Sequence, residues 1–261
     1  MRDLELIKEL ASRLFEGGIE SARFEAKQIT EFAENREQAI ELCEKRISGE
    51  PLQYLLGEWE FYGLPFYVGE GVLIPRADTE TLVDAALEII GDKPLRVADL
   101  CSGSGAVAIA VAKNSSAQVT ALEKSEKAFG YLERNVIRNG ADVQCIAGDL
   151  FEDLEESFDL ILSNPPYIAS SVVDTLSKEV KKEPRMALDG GTDGLDFYKR
   201  LTSYWKTRIN AGGSLAVEIG YDQAESVVAL FEQNGFEQIR VIKDLSGNNR
   251  VIVGTVKALA T

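Results

Sequence analysis

The chain has 261 residues, with 28 Lys and Arg against 43 Asp and Glu, a formal net charge of −15. Hydrophobic residues make up 45% and charged residues 27%, which suits two domains, or one large domain with an appendage, and excludes wholesale disorder. There is no histidine, so Ser-His-Asp and Cys-His nucleophilic machinery, His-ligated zinc and histidine general bases are all excluded.

The pI near 4.6 argues against a broad nucleic-acid footprint, which needs a basic face, and no direct nucleic-acid binding is expected. The longest apolar run, 106–112, falls far short of the ~20 residues of a membrane helix. The opening Met1-Arg2-Asp3-Leu4-Glu5 has no apolar signal region. Cys43, Cys101 and Cys145 lie far apart without a Cys-x-x-Cys, so neither a disulfide nor a thiolate metal site is expected. The expectation is an acidic cytoplasmic protein without a metal.

The first fifty residues predict helices. Leu4, Ile7, Ala11, Leu14 and Phe15 recur at helical spacing up to Gly17-Gly18. Ser21 is placed to cap a second helix with the stripe Ala22, Ala26, Ile29, Phe32 and Ala33. Asn35-Arg36-Glu37-Gln38 reads as a capping box opening a third, with Ala39, Cys43 and Ile47 inward. Residues 58–62 and 64–68 are aromatic-rich runs divided by Gly63, a predicted β-hairpin. Asp78 is placed to cap a helix with Leu82, Val83, Ala86, Leu87 and Ile90 inward. The expected division is a helical recognition domain at 1–50, a hairpin linker at 51–76 and a larger domain at 77–261.

After Pro94, strand-like runs at 95–100, 118–122, 143–147, 158–162, 214–219, 237–242 and 251–256 alternate with helical stretches at 105–113, 125–139, 195–209 and 221–234. Such alternation predicts an α/β fold, a mostly parallel sheet with helices on both faces. Residues 244–250 leave no room for a crossover helix, so the last two strands are expected to pair antiparallel through Ser246-Gly247-Asn248.

Asp99-Leu100-Cys101-Ser102-Gly103-Ser104-Gly105 follows the first of these strands and opens a helix of small residues. Its glycines allow a tight turn and close backbone approach to a ligand at a helix N-terminus. Glu123, about 20 residues on, stands where a carboxylate grips a ribose diol. Gly103-x-Gly105-x-x-Ala108 also satisfies the loosest dinucleotide pattern. Asp99 counts against that, because a carboxylate there repels a pyrophosphate but suits a ligand bearing an ammonium group, such as S-adenosylmethionine (SAM).

The strand at 158–162 runs into Asn164-Pro165-Pro166-Tyr167. Two prolines stiffen this loop, and Pro165 drives Asn164 out of the helical region. The Asn164 amide oxygen and the Pro165 carbonyl can each accept one N–H of a substrate NH2, while Tyr167 packs against the planar group that carries it. A planar amide or exocyclic amine is a poor nucleophile. Holding both its N–H bonds aims the nitrogen at a methyl donor and stabilises the charge it gains.

Over essentially its whole length the chain resembles the protein-(glutamine-N5) methyltransferases that modify peptide chain release factors, the HemK/PrmC type. Asn-Pro-Pro-Tyr is shared with enzymes that methylate nucleic-acid adenine. More specific are Pro51-Leu52-Gln53-Tyr54-Leu55-Leu56-Gly57, Leu73-Ile74-Pro75-Arg76-Ala77-Asp78-Thr79-Glu80, Glu183-Pro184-Arg185, Glu218-Ile219-Gly220-Tyr221-Asp222-Gln223 and Asp244-Leu245-Ser246-Gly247 with Arg250. The resemblance implies a class I SAM-dependent methyltransferase fold, Rossmann-like and seven-stranded with an antiparallel last strand, behind a small helical domain that helps hold the release factor. It implies SAM contacts at Asp99, Cys101, Ser102, Gly103, Ser104, Gly105 and Glu123, with Gly148-Asp149-Leu150-Phe151 near the adenine. It implies that Asn164 touches donor and acceptor, with Pro165, Pro166 and Tyr167 completing the grip on a glutamine. Cys101 stands where the family usually has a glycine and Glu123 where Asp is common. Glutamine methylation of a ribosomal protein and N6-adenine methylation of DNA or RNA remain alternatives at this stage. Arg76, Asp78 and Glu80 can line the cleft or serve as a cap and surface charges. Trp59 and Trp205 read as packing anchors, and Glu152, Asp153, Glu155 and Glu156 as a solvated face.

Overall fold

A computed structural model describes residues 4–150 and 156–258. Four helices come first: α1 (Leu4–Glu16), α2 (Ala22–Phe32), α3 (Arg36–Ile47) and the short α4 (Leu52–Leu56). Their shared core is Leu6, Leu10 and Leu14 of α1 with Ala26, Ile29, Ala39, Leu42, Cys43, Leu52 and Leu56. The buried face of α1 is thus the i, i+4 row starting at Leu6, one position round from the expected stripe. Leu4 and Phe15 are 70% and 73% exposed because they flank that row at its two ends. On α3, Leu42 and Arg46 turn inward while Ile47 is 38% exposed at the rim.

The expected cap at Ser21 takes another form, since its hydroxyl donates to Glu25 Oε1 at 2.8 Å and accepts no backbone N–H from the start of α2. Asn35 does cap α3, accepting from Gln38 N at 2.9 Å, while Gln38 Oε1 accepts from Glu34 N at 2.7 Å.

The hairpin forms from β1 (Glu58–Phe61) and β2 (Leu64–Tyr67). Tyr62 and Gly63 turn it with φ of 53° and 70°, the two positive values a tight primed turn requires. Phe61, Phe66, Val68 and Val72 then pack into the same core as α5 (Glu80–Ile90) and the central sheet. Asp78 does not cap α5. A short 3-10 turn, Ala77–Thr79, intervenes, and the Asp78 carboxylate instead meets Arg250 Nη2 at 3.2 Å.

The large sheet contains β3 (Arg96–Leu100), β4 (Gln118–Glu123), β5 (Val143–Ala147), β6 (Phe158–Ser163), β7 (Ile209–Glu218), β8 (Glu237–Lys243) and β9 (Asn249–Thr255). Its order is β5-β4-β3-β6-β7-β9-β8, parallel except that β9 runs antiparallel to both neighbours. The helices α6 (Ala106–Asn114), α7 (Glu126–Asn139), the four-residue α8 (Ser170–Val173), α9 (Asp196–Ser203) and α10 (Ala224–Gln233) lie between the strands in sequence. Two hydrophobic clusters cover the two faces of the sheet, as the alternating pattern requires.

β7 begins five residues before the expected strand and passes through Gly212-Gly213, with a register shift opposite Phe158 and Leu160. A side chain at Gly213 would place its Cβ 2.6 Å from Asp159 O, so this strand crossing needs glycine. The predicted helix at 195–209 is correspondingly short, ending at Ser203 before a 3-10 turn, Trp205–Arg208. Trp205 is fully buried, and Trp59 packs at the border of the helical and central cores. No described helix is long and apolar enough to cross a membrane.

Candidate active site

The chain builds outward from β3 to β4 and β5, then returns to add β6 on the other side, so β3 and β6 flank the topological switch point. Leu100 on β3 pairs with Leu122 on β4 and Ser163 on β6, and Ser163 pairs with Val217 on β7. The next residue on each strand is therefore Cys101, Glu123, Asn164 or Glu218, one row across four carboxyl ends. The Ser163 hydroxyl donates to Leu100 O at 2.7 Å and locks the middle of the row.

A cavity opens over Cys101, Glu123 and Asn164 but not Glu218, lined by Asp99 and residues 101–104 at one end, then Glu123, Asp149 and Leu150, and by Asn164 and Pro166 at the other. Gly105, Pro165 and Tyr167 stand outside that lining. Gly103 has φ of 56°, and nothing lies within 4 Å of where its Cβ would be, so the backbone faces open space. Gly105, at φ of 82°, has a packing role, since a Cβ would come 2.5 Å from Leu132 Cδ1. Cys101 is a non-glycine residue in the same left-handed region, at φ of 62°. Burial and the charges of Glu123 and Asp99 push its thiol pKa up, which disfavours the thiolate.

Two carboxylates dominate the electrostatics. Asp99 is 1% exposed, its Oδ2 accepts from Ala108 N at 3.1 Å, and burial pushes its pKa up to about 7. Glu123 is also buried, and that burial raises its pKa against the pull of backbone donors. Those donors include Gly103 N at 2.8 Å and Ser125 N at 2.7 Å. Among the described residues neither carboxylate has an ion-pair partner. Buried, unneutralised negative charge beside open space favours a ligand with positive charge.

Asp149 pairs with Lys124 at 2.6 Å, and the buried Leu150 offers its carbonyl to Trp205 Nε1 at 2.8 Å. Phe151, Glu152, Asp153 and Glu155 lie outside the described residues. Glu156 is exposed and pairs with Arg96 at 3.2 Å.

At the other end, Asn164 Nδ2 donates to Thr79 Oγ1 at 3.1 Å, which leaves Oδ1 available. Tyr167 turns behind the loop: its hydroxyl is 3.5 Å from Glu218 Oε1, and its carbonyl accepts from Gln223 Nε2 at 3.0 Å. The segment after Glu183 straps along the tetrapeptide, with Ile168 N donating to Leu188 O at 2.9 Å and Gly190 N to Ile168 O at 2.8 Å. Glu183 joins the two far walls of the cavity, accepting from Ile74 N at 3.0 Å and pairing with Arg76. Arg76 lines the cavity, whereas Glu80 accepts from Tyr62 N at 2.8 Å away from it.

Thr79 and Glu218 were not singled out from sequence as site residues. The only signal was that both sit inside the quoted family motifs.

A seven-stranded sheet of this order, with one antiparallel strand and a glycine loop at its switch point, defines a class I SAM-dependent methyltransferase. The family description "Methyltransferase small domain" matches residues 79–192. A methyltransferase of Pyrococcus furiosus shares the fold at a TM-score of 0.60 and 21% identity, over 76% of this chain and 91% of that one. The release factor glutamine methyltransferase of Thermodesulfovibrio yellowstonii is 37% identical over 97% of this chain and 98% of its own length. That of Fusobacterium nucleatum is 43% identical over 87% of this chain, which spans 66% of that longer protein. The chain belongs to the release factor glutamine methyltransferase family.

Proposed function

We propose that the chain transfers a methyl group from SAM to the side-chain amide nitrogen, N5, of a glutamine in a peptide chain release factor, in the cytoplasm. The observation that carries this reading is the row itself: uncompensated carboxylates and an open glycine backbone lie within two strands of a proline-stiffened Asn164. SAM fits the first end, because Glu123 can take the ribose hydroxyls, Gly103 leaves room for close backbone approach, and Asp99 matches the ammonium group. Residues 148–150 would flank the adenine. When bound, SAM supplies a methyl carbon made electrophilic by a sulfonium.

With Nδ2 of Asn164 committed to Thr79, Oδ1 is the atom left to accept an N–H from the acceptor amide. The Pro165 carbonyl takes the second N–H, and Pro166 and Tyr167 hold the loop against the strap at 184–191. The acceptor nitrogen gains positive charge as it attacks, and the two oxygens at its N–H bonds lower the energy of that charge. The methyl carbon–sulfur bond breaks as the carbon–nitrogen bond forms, and neutrality returns when the nitrogen gives one proton to water. A lone glutamine side chain supplies little binding energy, so the helices of residues 1–50 are assigned the body of the release factor.

The test is to supply labelled SAM with a release factor, a ribosomal protein extract and adenine oligonucleotides, and to locate the label by mass spectrometry. Label on a release-factor glutamine is expected. Label on a ribosomal protein or on adenine would replace this reading.

A further inference from the structure

Three motifs are left without a task by the donor and acceptor contacts: the turn at 77–79, the end of β7 and the start of β9. They converge behind Asn164. Arg250 on β9 pairs with Asp244 at 3.0 Å and with Asp78 at 3.2 Å, and its Nη1 donates to Ile219 O at 3.2 Å. Asp244 is further satisfied by Ser246 N and Asn248 N, and Asp78 is half exposed to water. Glu218 stands apart. It is 1% exposed, and its Oε2 has no hydrogen-bond partner among the described residues.

A buried carboxylate oxygen without a donor is costly and calls for a reason. The reason lies in the direction of the hydrogen bonds around Thr79. Its hydroxyl has one proton to give and already accepts from Asn164 Nδ2. Glu218 is brought alongside Asn164 by the pairing of Ser163 with Val217, and Thr79 is the side chain that does most to hold its pKa down. The hydroxyl of Tyr167, from the same tetrapeptide, is aimed at the same carboxylate.

We propose that Glu218 and Thr79 are positioning residues for methyl transfer, a relay that fixes which way the Asn164 amide faces. An ionised Glu218 can only accept. It therefore orients the Thr79 proton toward itself, and the Thr79 lone pair toward Asn164 Nδ2. Asn164 Oδ1 is then left pointing at the acceptor amide. Protonating Glu218, or replacing it with an amide, lets that position donate to Thr79. The hydroxyl then competes for the wrong end of Asn164, and a flipped amide presents N–H groups to a substrate that also brings N–H groups.

Burial pushes the Glu218 pKa up to about 7, so this switch falls in an accessible range. Asp78 also raises it, whereas Thr79, Arg250 and Tyr167 lower it. Tyr198, from α9, donates to the Glu218 carbonyl and not to its carboxylate.

The inference rests on the assignment of Asn164 to the acceptor, so Asn164→Ala runs beside every variant. Full-chain enzyme, a release factor and saturating SAM are used across pH 5.5 to 8.5, with SAM affinity measured by calorimetry. In the native enzyme kcat should fall on the acid side of about pH 7. Glu218→Gln should lower kcat at least tenfold, leave SAM affinity within twofold and abolish that acid limb. Thr79→Val should reproduce the loss in kcat, and Thr79→Ser should recover most of it.

A Glu218→Gln enzyme that keeps native kcat, or keeps the acid limb, overturns the relay. So does parallel loss of SAM affinity and kcat in the Thr79 variants, which would mark a merely structural role. If Glu218→Gln does not fold, the Thr79→Val and Thr79→Ser pair decides alone. If Asn164→Ala itself transfers methyl normally, the acceptor assignment fails and takes the relay with it. If only Asn164→Ala is impaired, the relay alone is wrong.

Discussion

The two ends of the cavity rise from one sheet, β3 and β4 on one side and β6 on the other, yet they are built on opposite principles. Around Asp99 and Glu123 the protein keeps carboxylates buried without counter-ions and presents bare backbone at Gly103. Around Asn164 it spends proline rigidity, a threonine hydroxyl and a strapped loop on holding one neutral amide still. The first end stores an electrostatic deficit that a cation fills, and the second stores orientation. Binding energy and alignment are thus supplied by separate residues, although the row places those residues side by side.

The largest effect expected from breaking that division is at the acceptor end. Asn164→Ala should lower kcat by about 10²–10³, the range for removing one preorganised group at a developing charge, in a single-turnover assay. On the donor side, Glu123→Ala should weaken SAM by about 1.5–3 kcal/mol, the worth of a hydrogen bond to a charged group. Calorimetry should read this as a roughly 10- to 150-fold rise in Kd, with transfer at saturation little changed.

Extending the acceptor end outward, a chain that starts at Glu58 keeps Phe61, Phe66 and Val68 in the central core while losing α1 to α4. It should bind SAM but show a KM for the release factor raised by about tenfold, the loss of about 1.4 kcal/mol of remote contact. A thermal melt with and without SAM checks that it remains folded.

The donor end should also respond to pH. The Asp99 pKa lies near 7 in the folded protein and near 3.8 unfolded, so the folded state binds the extra proton between these values. Stability of the free protein should therefore fall as pH rises through that window. A cationic ligand favours the ionised carboxylate, so SAM affinity should move the other way and weaken as pH falls below about 7. Asp99→Asn should flatten that dependence in calorimetry.

The smallest effect is expected at Cys101→Gly. It relieves a left-handed residue at φ of 62° but adds unfolded-state freedom, two opposing terms of about 1 kcal/mol each. Scanning calorimetry should show a change in Tm of no more than about 2–4 °C, with activity retained.

Much of the donor end was legible in sequence because its chemistry is local. The glycine loop, Asp99 and Glu123 follow strands whose apolar runs are unmistakable, and the tetrapeptide carries its stiffness in its own prolines. The rest needed register. Thr79 meets Asn164 across 85 residues, and Glu218 joins them only because Ser163 pairs with Val217.

Local pattern also misled where two readings were equally apolar. On α1 the stripes through Leu4 and Leu6 differ only in what α2 and α3 bring against them. At Gly212-Gly213 a pair that normally marks a loop proved to be the close crossing of β7 over β6. Asp78 reads locally as a helix cap, but Arg250, far along the chain, claims it.

The separation of binding from alignment is tested most directly by a double-mutant cycle on Glu123→Ala and Asn164→Ala, with SAM Kd and single-turnover rate measured for all four proteins. Independent roles predict that Glu123→Ala changes Kd alone and Asn164→Ala the rate alone. The double variant should then carry both losses, with a coupling energy below about 0.5 kcal/mol. Each single variant impairing both quantities, with a coupling above about 1 kcal/mol, would show that the two ends act as one unit and contradict the account.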